Sequence, residues 1–204
     1  ADAVRWFMLS DSPPERDLEW SESGIEGCWR FIQRLWRLVG QTDGATGDDP
    51  ALLRRMHQAI SGVAQDIEAL SFNKAVAKIY ELAGHVEKAK PSKSRDEALR
   101  SLILLSAPMV PHIAEEAWEK LGGDGLIANA AWPVLDESML VETQVTIALQ
   151  VKGKLRDTVT VDKDLPKEQM EALALSSQKV QTAMAGAPVR KIIIVPNRLV
   201  NIVI

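Results

Sequence analysis

Apolar residues recur at the helical period through the first two thirds of the chain, then switch to alternate positions. The clearest amphipathic stretch carries Ile25, Cys28, Trp29, Ile32, Leu35, Trp36 and Val39 every three or four residues, the spacing of one helix face. Arg30, Arg34 and Arg37 share another side of the same helix. Before it, 2–9 reads as a helix stopped by Ser12-Pro13-Pro14, since proline cannot continue the hydrogen-bond ladder. Gly40, Gly44 and Gly47 predict a loop, after which Asp49 as N-cap and Pro50 at the first helical position open another helix. Its stripe is Leu53, Met56, Ile60, Val63, Ile67 and Leu70. A further helix over 73–87 carries Val76, Ile79, Tyr80, Ala83 and Val86. The stretch 95–121 is apolar on nearly every side from Leu99 to Val110, which predicts a central helix bent or broken by Pro108 and Pro111. Most tryptophans sit at stripe spacing and are expected in the core.

Beyond 142 the period becomes two. Val145, Ile147, Leu149 and Val151 alternate with polar or small residues, predicting a strand with one buried face. Lys152-Gly153 reads as a turn and 155–161 as the hairpin partner. A helix over 166–184, broken near Ser176-Ser177, precedes two β-rich runs over 189–195 and 199–204. The expected fold is mainly α: a helical bundle over 1–133, a linker over 134–141, and a small α+β domain over 142–204.

Charge follows the same division. The net charge of -4 conceals nine Lys or Arg against six Asp or Glu from Val141 onward, and fifteen against twenty-two before it. All six tryptophans lie before the switch, and no Phe, Tyr or Trp follows Trp132. A single cysteine, Cys28, excludes an internal disulfide. No apolar run approaches the roughly 18–20 residues of a membrane span, so no membrane partner is expected. The chain opens in mid-pattern without Met, which predicts a piece of a longer protein.

Enzyme chemistry is hard to place. No phosphate-cradling GxxxxGK[ST] or GxGxxG and no GxSxG elbow occurs. Cys28 lies on an apolar stripe and reads as an inert buried thiol. His112 with Glu115 and Glu116 lacks further ligands for a metal, and none is expected. His57 and His85 read as surface or satisfied positions. Lys90-Pro91-Ser92-Lys93-Ser94 is similar to the KMSKS loop of class I aminoacyl-tRNA synthetases, but lies between two bundle helices with no parallel sheet beside it.

Longer stretches carry a broader resemblance. Ser12–Ser21 (SPPERDLEWS), Gly24-Ile25-Glu26-Gly27 and the run from Arg30 to Val39 resemble the helical, anticodon-binding-type domain of bacterial-type leucyl-tRNA synthetases. The run from Leu105 to Trp118, with Trp132-Pro133, is similar also to valyl and isoleucyl enzymes. The stretches from Gln150 to Asp157 and from Arg190 to Val203 resemble the small C-terminal domain of the leucyl family. Lys152 stands where that family usually has Asn, and Asn197 where it usually has Gly.

The resemblance implies the tRNA-binding C-terminal portion of an enzyme that joins leucine to its tRNA in the cytoplasm, using ATP with Mg. It also implies catalytic and editing domains ahead of Ala1, leucine tRNA as partner, and no activity or cofactor in this part alone. Candidate tRNA contacts are Arg30, Arg34 and Arg37 on the amphipathic helix. Lys152, Lys154, Arg156, Arg190, Lys191 and Arg198 form a second group, which would make one rim if their strands are neighbours. Without aromatic rings, the last domain is expected to grip folded RNA by backbone and shape rather than by base stacking. Alternatives are the same region of a valyl or isoleucyl enzyme, or a helical protein-protein adaptor, which salt-sensitive tRNA binding would argue against.

Overall fold

A computed structural model describes residues 1–41, 46–141 and 144–204. It divides into two compact units, Ala1–Leu140 and Val141–Ile204. Gly44, read from sequence as part of a loop, lies outside the described residues.

The first unit is a helical bundle: α1 (Asp2–Ser10), α2 (Glu22–Val39), α3 (Pro50–Glu68), α4 (Phe72–Lys88), α5 (Lys93–Ser106) and α6 (Pro111–Lys120). Local chemistry sets the helix starts. Ser21 caps α2 by accepting from the Gly24 amide, and Asp49 caps α3 by accepting from Leu52, with Pro50 next to it. Asp2, buried in α1, serves a different helix. Its carboxylate accepts from the Ile113 amide at 2.7 Å and contacts the His112 ring at 2.7 Å, so it closes the start of α6 from a distance. The long apolar stretch of 95–121 is two helices, because Pro108 and Pro111 end one and open the other.

An aromatic cluster joins three helices in the core. Trp6 stacks on Phe31 at 4.9 Å, and its indole N–H donates to the Tyr80 hydroxyl at 2.9 Å. Burial raises the Tyr80 pKa, partly offset by that hydrogen bond. Burial likewise raises Cys28, which fits an inert thiol. The Lys-rich stretch before α5 also has a structural task. Ser92 caps α5 through the Arg95 amide, and buried Ser94 accepts from the Asp49 amide at 2.8 Å. His57 is buried, and its Nδ1 accepts from the Asp136 amide at 3.3 Å. Much of the stretch read as a linker therefore belongs to the bundle: Leu135 packs on the core and a short 3-10 helix, Glu137–Leu140, lies against α3.

Two expectations about the bundle are corrected. Trp6 and Trp118 are buried, but Trp20, Trp29, Trp36 and Trp132 are exposed, Trp29 to 52%. In α2 the buried positions are Cys28, Phe31, Ile32, Leu35, Leu38 and Val39. Its apolar residues span a wider arc than its neighbours α1, α4 and α6 cover, and the neighbours choose which part is sealed. Leu70 does not continue the α3 stripe either. It is exposed, with φ +53, in the left-handed turn that ends the helix. A leucine there is strained by its Cβ. Leu70→Gly is expected to stabilise the first unit by about 0.5–1 kcal/mol. Urea unfolding followed by tryptophan emission checks this, since all six tryptophans lie in that unit; an unchanged midpoint would show that the strain is negligible.

The second unit is α+β: β1 (Gln144–Val151), β2 (Lys154–Asp162), α7 (Lys167–Ser176), α8 (Gln178–Met184), β3 (Lys191–Val195) and β4 (Leu199–Val203). The sheet order is β2-β1-β4-β3, with β1 parallel to β4 and the other pairs antiparallel. Ile147, Leu149, Val151, Val161, Val200 and Ile202 turn to one face and form a core with Met170, Ala174 and Val180 of the two helices. The helix break falls at Ser177, which caps α8 and donates to Asp157 of β2 at 2.8 Å. Asp157 also accepts from Lys179 at 2.8 Å, and these bonds, Lys179 first, lower its pKa.

Candidate nucleic-acid interface

The two groups of candidate cations fare differently. On α2, Arg30 pairs with Glu26 at 2.9 Å and Arg34 with Glu87 of α4 at 2.7 Å. Two charges of the expected arginine line are thus already matched within the bundle. Arg37 is exposed and makes no ion pair among the described residues. It lines an open groove of ≈ 610 Å³ with Trp29, Gln33, Trp36, Ile113 and Glu116. Lys120 lies 4.7 Å over the Trp36 ring, a cation–π contact.

In the second unit the strand order gathers most of the basic residues. β1 and β4 run parallel, so the end of β1 lies beside the end of β4, and the antiparallel β2 and β3 begin there. Lys152 and Lys154 flank the β1–β2 turn, and Arg190 and Lys191 stand at the start of β3. Backbone bonds fasten both groups to β4: Lys152 donates to the Ile202 carbonyl at 2.9 Å, and Arg190 to the Val203 carbonyl at 2.8 Å. Arg156 joins them through a bulge. The β1–β2 register jumps from Leu149↔Asp157 to Gln150↔Leu155, which leaves Arg156 without a cross-strand partner.

All five side chains are exposed, and among the described residues none makes an ion pair. With strands about 4.8 Å apart, the rim from β2 to β3 is roughly 14 Å wide. Arg198 does not join it. It precedes β4 and stands at the opposite end, roughly 15 Å away along the strands. The six cations read from sequence as a single rim are five and one.

The turn itself has the geometry of a tight hairpin. Lys152 has φ +51 and Gly153 φ +74, so both central residues are left-handed, as a type I′ turn demands. At the other end Asn197 adopts φ +57, and its side chain exchanges two hydrogen bonds with Asp164, at 2.9 and 2.8 Å. Asn tolerates that conformation better than most residues, which explains how it can replace a glycine. Sequence reasoning missed Asn201, whose Oδ1 accepts from the Gly153 amide at 3.0 Å. No local pattern marks a bond between residues 48 positions apart.

No group of three or more potential metal ligands occurs among the described residues. No described helix is long and apolar enough to cross a membrane. The fold is thus a helical bundle with a small α+β unit bearing an exposed basic rim.

The sequence profile of the family described as "Anticodon-binding domain of tRNA ligase" matches residues 49–171, more than half of the chain. The chain belongs to that family. It is 66% identical over its whole length to a leucine–tRNA ligase of Novosphingobium aromaticivorans and 62% identical to one of Rhizorhabdus wittichii. It spans only 24% of the length of either. A solved structure of LeuRS from Agrobacterium radiobacter K84, a ternary complex with tRNA and LeuAMS, superposes with a TM-score of 0.72 at 27% identity. That match covers 99% of this chain and 28% of the other.

Proposed function

We propose that this chain is the tRNA-holding portion of a leucine–tRNA ligase that works in the cytoplasm. The observation that carries the reading is 66% identity along all 204 residues to such a ligase. The exposed five-cation rim supports it, because clustered unpaired cations attract a phosphate backbone and release its counterions. Lys152, Lys154, Arg156, Arg190 and Lys191 make the main grip, Arg37 contributes from the bundle, and Arg30, Arg34 and Arg198 add weaker attraction. Activation of leucine with ATP and Mg belongs to a catalytic domain outside these residues, and editing to a further domain.

The test uses the purified 204-residue chain. It is expected to bind leucine tRNA with an affinity that falls steeply with salt, and to show no leucine-dependent ATP–pyrophosphate exchange. Salt-insensitive or absent tRNA binding would favour a protein-protein adaptor. Measurable exchange would overturn the assignment of chemistry to other domains.

A further inference from the structure

The rim is built from two arms, 152–156 and 190–191, and neither holds the other. Both are fastened to the end of β4, whose residues Leu199–Val203 carry no charge. Consecutive carbonyls of that strand serve opposite sides: Ile202 accepts from Lys152, and Val203 accepts from Arg190. These are backbone bonds that do not depend on which side chains stand there, proline at the two donor positions excepted. Among the described residues the hairpin tip has one further tie, and it comes from a side chain. Asn201 Oδ1 accepts from the Gly153 amide at 3.0 Å. Without it, the tip between Lys152 and Lys154 would hang on a two-residue turn with a strained left-handed lysine.

We infer that Asn201 is a positioning residue for RNA binding, which sets the β1–β2 tip so that Lys152 and Lys154 face the same phosphates as Arg190 and Lys191. The inference rests on the RNA-binding reading of the rim. Long lysine side chains pay a large entropic cost when they settle on one target, and an anchored backbone reduces how much freedom remains to be lost. The inference explains why an amide side chain occupies this strand position. Asn is a poor strand former, and a β-branched residue would suit β4 better. The second arm needs no such device, because Lys191 and Arg190 sit on or beside a paired strand.

The experiment is a coupling measurement on the 204-residue chain with leucine tRNA at fixed salt. Asn201→Ala is expected to weaken binding about threefold to tenfold, the equilibrium weight of one hydrogen bond. Asn201→Thr, which favours the strand but cannot reach the Gly153 amide, should weaken it equally while unfolding at the wild-type midpoint or above. In both variants the Gly153 amide should exchange faster, with the Ile202 and Val203 pairings still protected. The decisive comparison is by background. In a Lys152→Ala, Lys154→Ala chain, Asn201→Ala should have no further effect; in a Lys191→Ala chain it should retain its full effect. Equal effects in both backgrounds would mean that Asn201 touches RNA itself or acts on the whole fold, and would overturn the inference. If Asn201→Ala binds like wild type while the double lysine variant is weakened, the rim stands and the positioning role falls. If the double lysine variant also binds like wild type, both readings fall.

Discussion

Replacing Lys152, Lys154 and Lys191 together by Glu is expected to weaken tRNA binding at least tenfold and to flatten its dependence on salt. The three stand at one end of the sheet, on two arms fastened to the same strand, so they act on one stretch of RNA backbone. Each phosphate contact that is lost removes about 0.7–0.9 from the slope of log affinity against log salt. Charge reversal also replaces attraction by repulsion over the nearby rim, an effect that reaches about a Debye length. Folding should persist, because exposed substitutions of this kind usually cost within about 0.5 kcal/mol. Arg198→Glu supplies the internal comparison, with the same charge change at the opposite end of the sheet and a much smaller loss expected. Affinity measured over a salt series, with circular dichroism as the folding control, separates the outcomes. A folded triple variant with wild-type affinity and slope would leave the rim without a role.

The largest effect on stability is expected from Arg95→Met. Arg95 is only 3% exposed, yet carries a charge and has no carboxylate among its hydrogen-bond partners within the described residues. Its guanidinium donates to the Val86 carbonyl at 3.1 Å, the Gln41 carbonyl at 3.0 Å and the Gln41 side chain at 3.2 Å. Val86 lies in the last turn of α4, and Gln41 follows the end of α2. One cation therefore meets the negative ends of two helices, where it satisfies carbonyls that have no partner within their own helix. Met keeps much of the volume but abandons these acceptors in a buried site, which should cost about 3 kcal/mol or more. Arg95→Lys should recover little, since a single ammonium cannot reproduce the planar fork that reaches all three. Urea unfolding followed by tryptophan emission reports on this unit alone, and a midpoint shift of less than about 1 kcal/mol equivalent would refute the account. The result would also recast the Lys-rich stretch 90–94. Ser92 there caps the helix that carries Arg95, and Ser94 ties that helix to the backbone amide of Asp49, the residue that caps α3, a structural role unlike that of a phosphate-binding loop.

Much of this was legible along the chain because its causes are local. The helical and strand periods follow from backbone geometry within a few residues, and Pro111, Asp49 and Ser177 act on their nearest neighbours. The turn at Lys152-Gly153 was readable for the same reason, as was the excess of positive charge beyond Val141. What the chain did not disclose depends on partners far away in sequence. Trp29 and Trp36 share the helical period with Ile32 and Leu35, yet α1, α4 and α6 cover only part of the apolar arc of α2 and leave them in solvent. Arg34 loses much of its freedom to meet a phosphate because α4 brings Glu87 to it. The rim is the clearest case. Placing β4 between β1 and β3 joins residues 190–191 to 152–156 and sends Arg198 to the far end. Strand order is settled by which apolar faces and backbone groups are satisfied together across the whole sheet, and alternation along a single strand is the same for every such order.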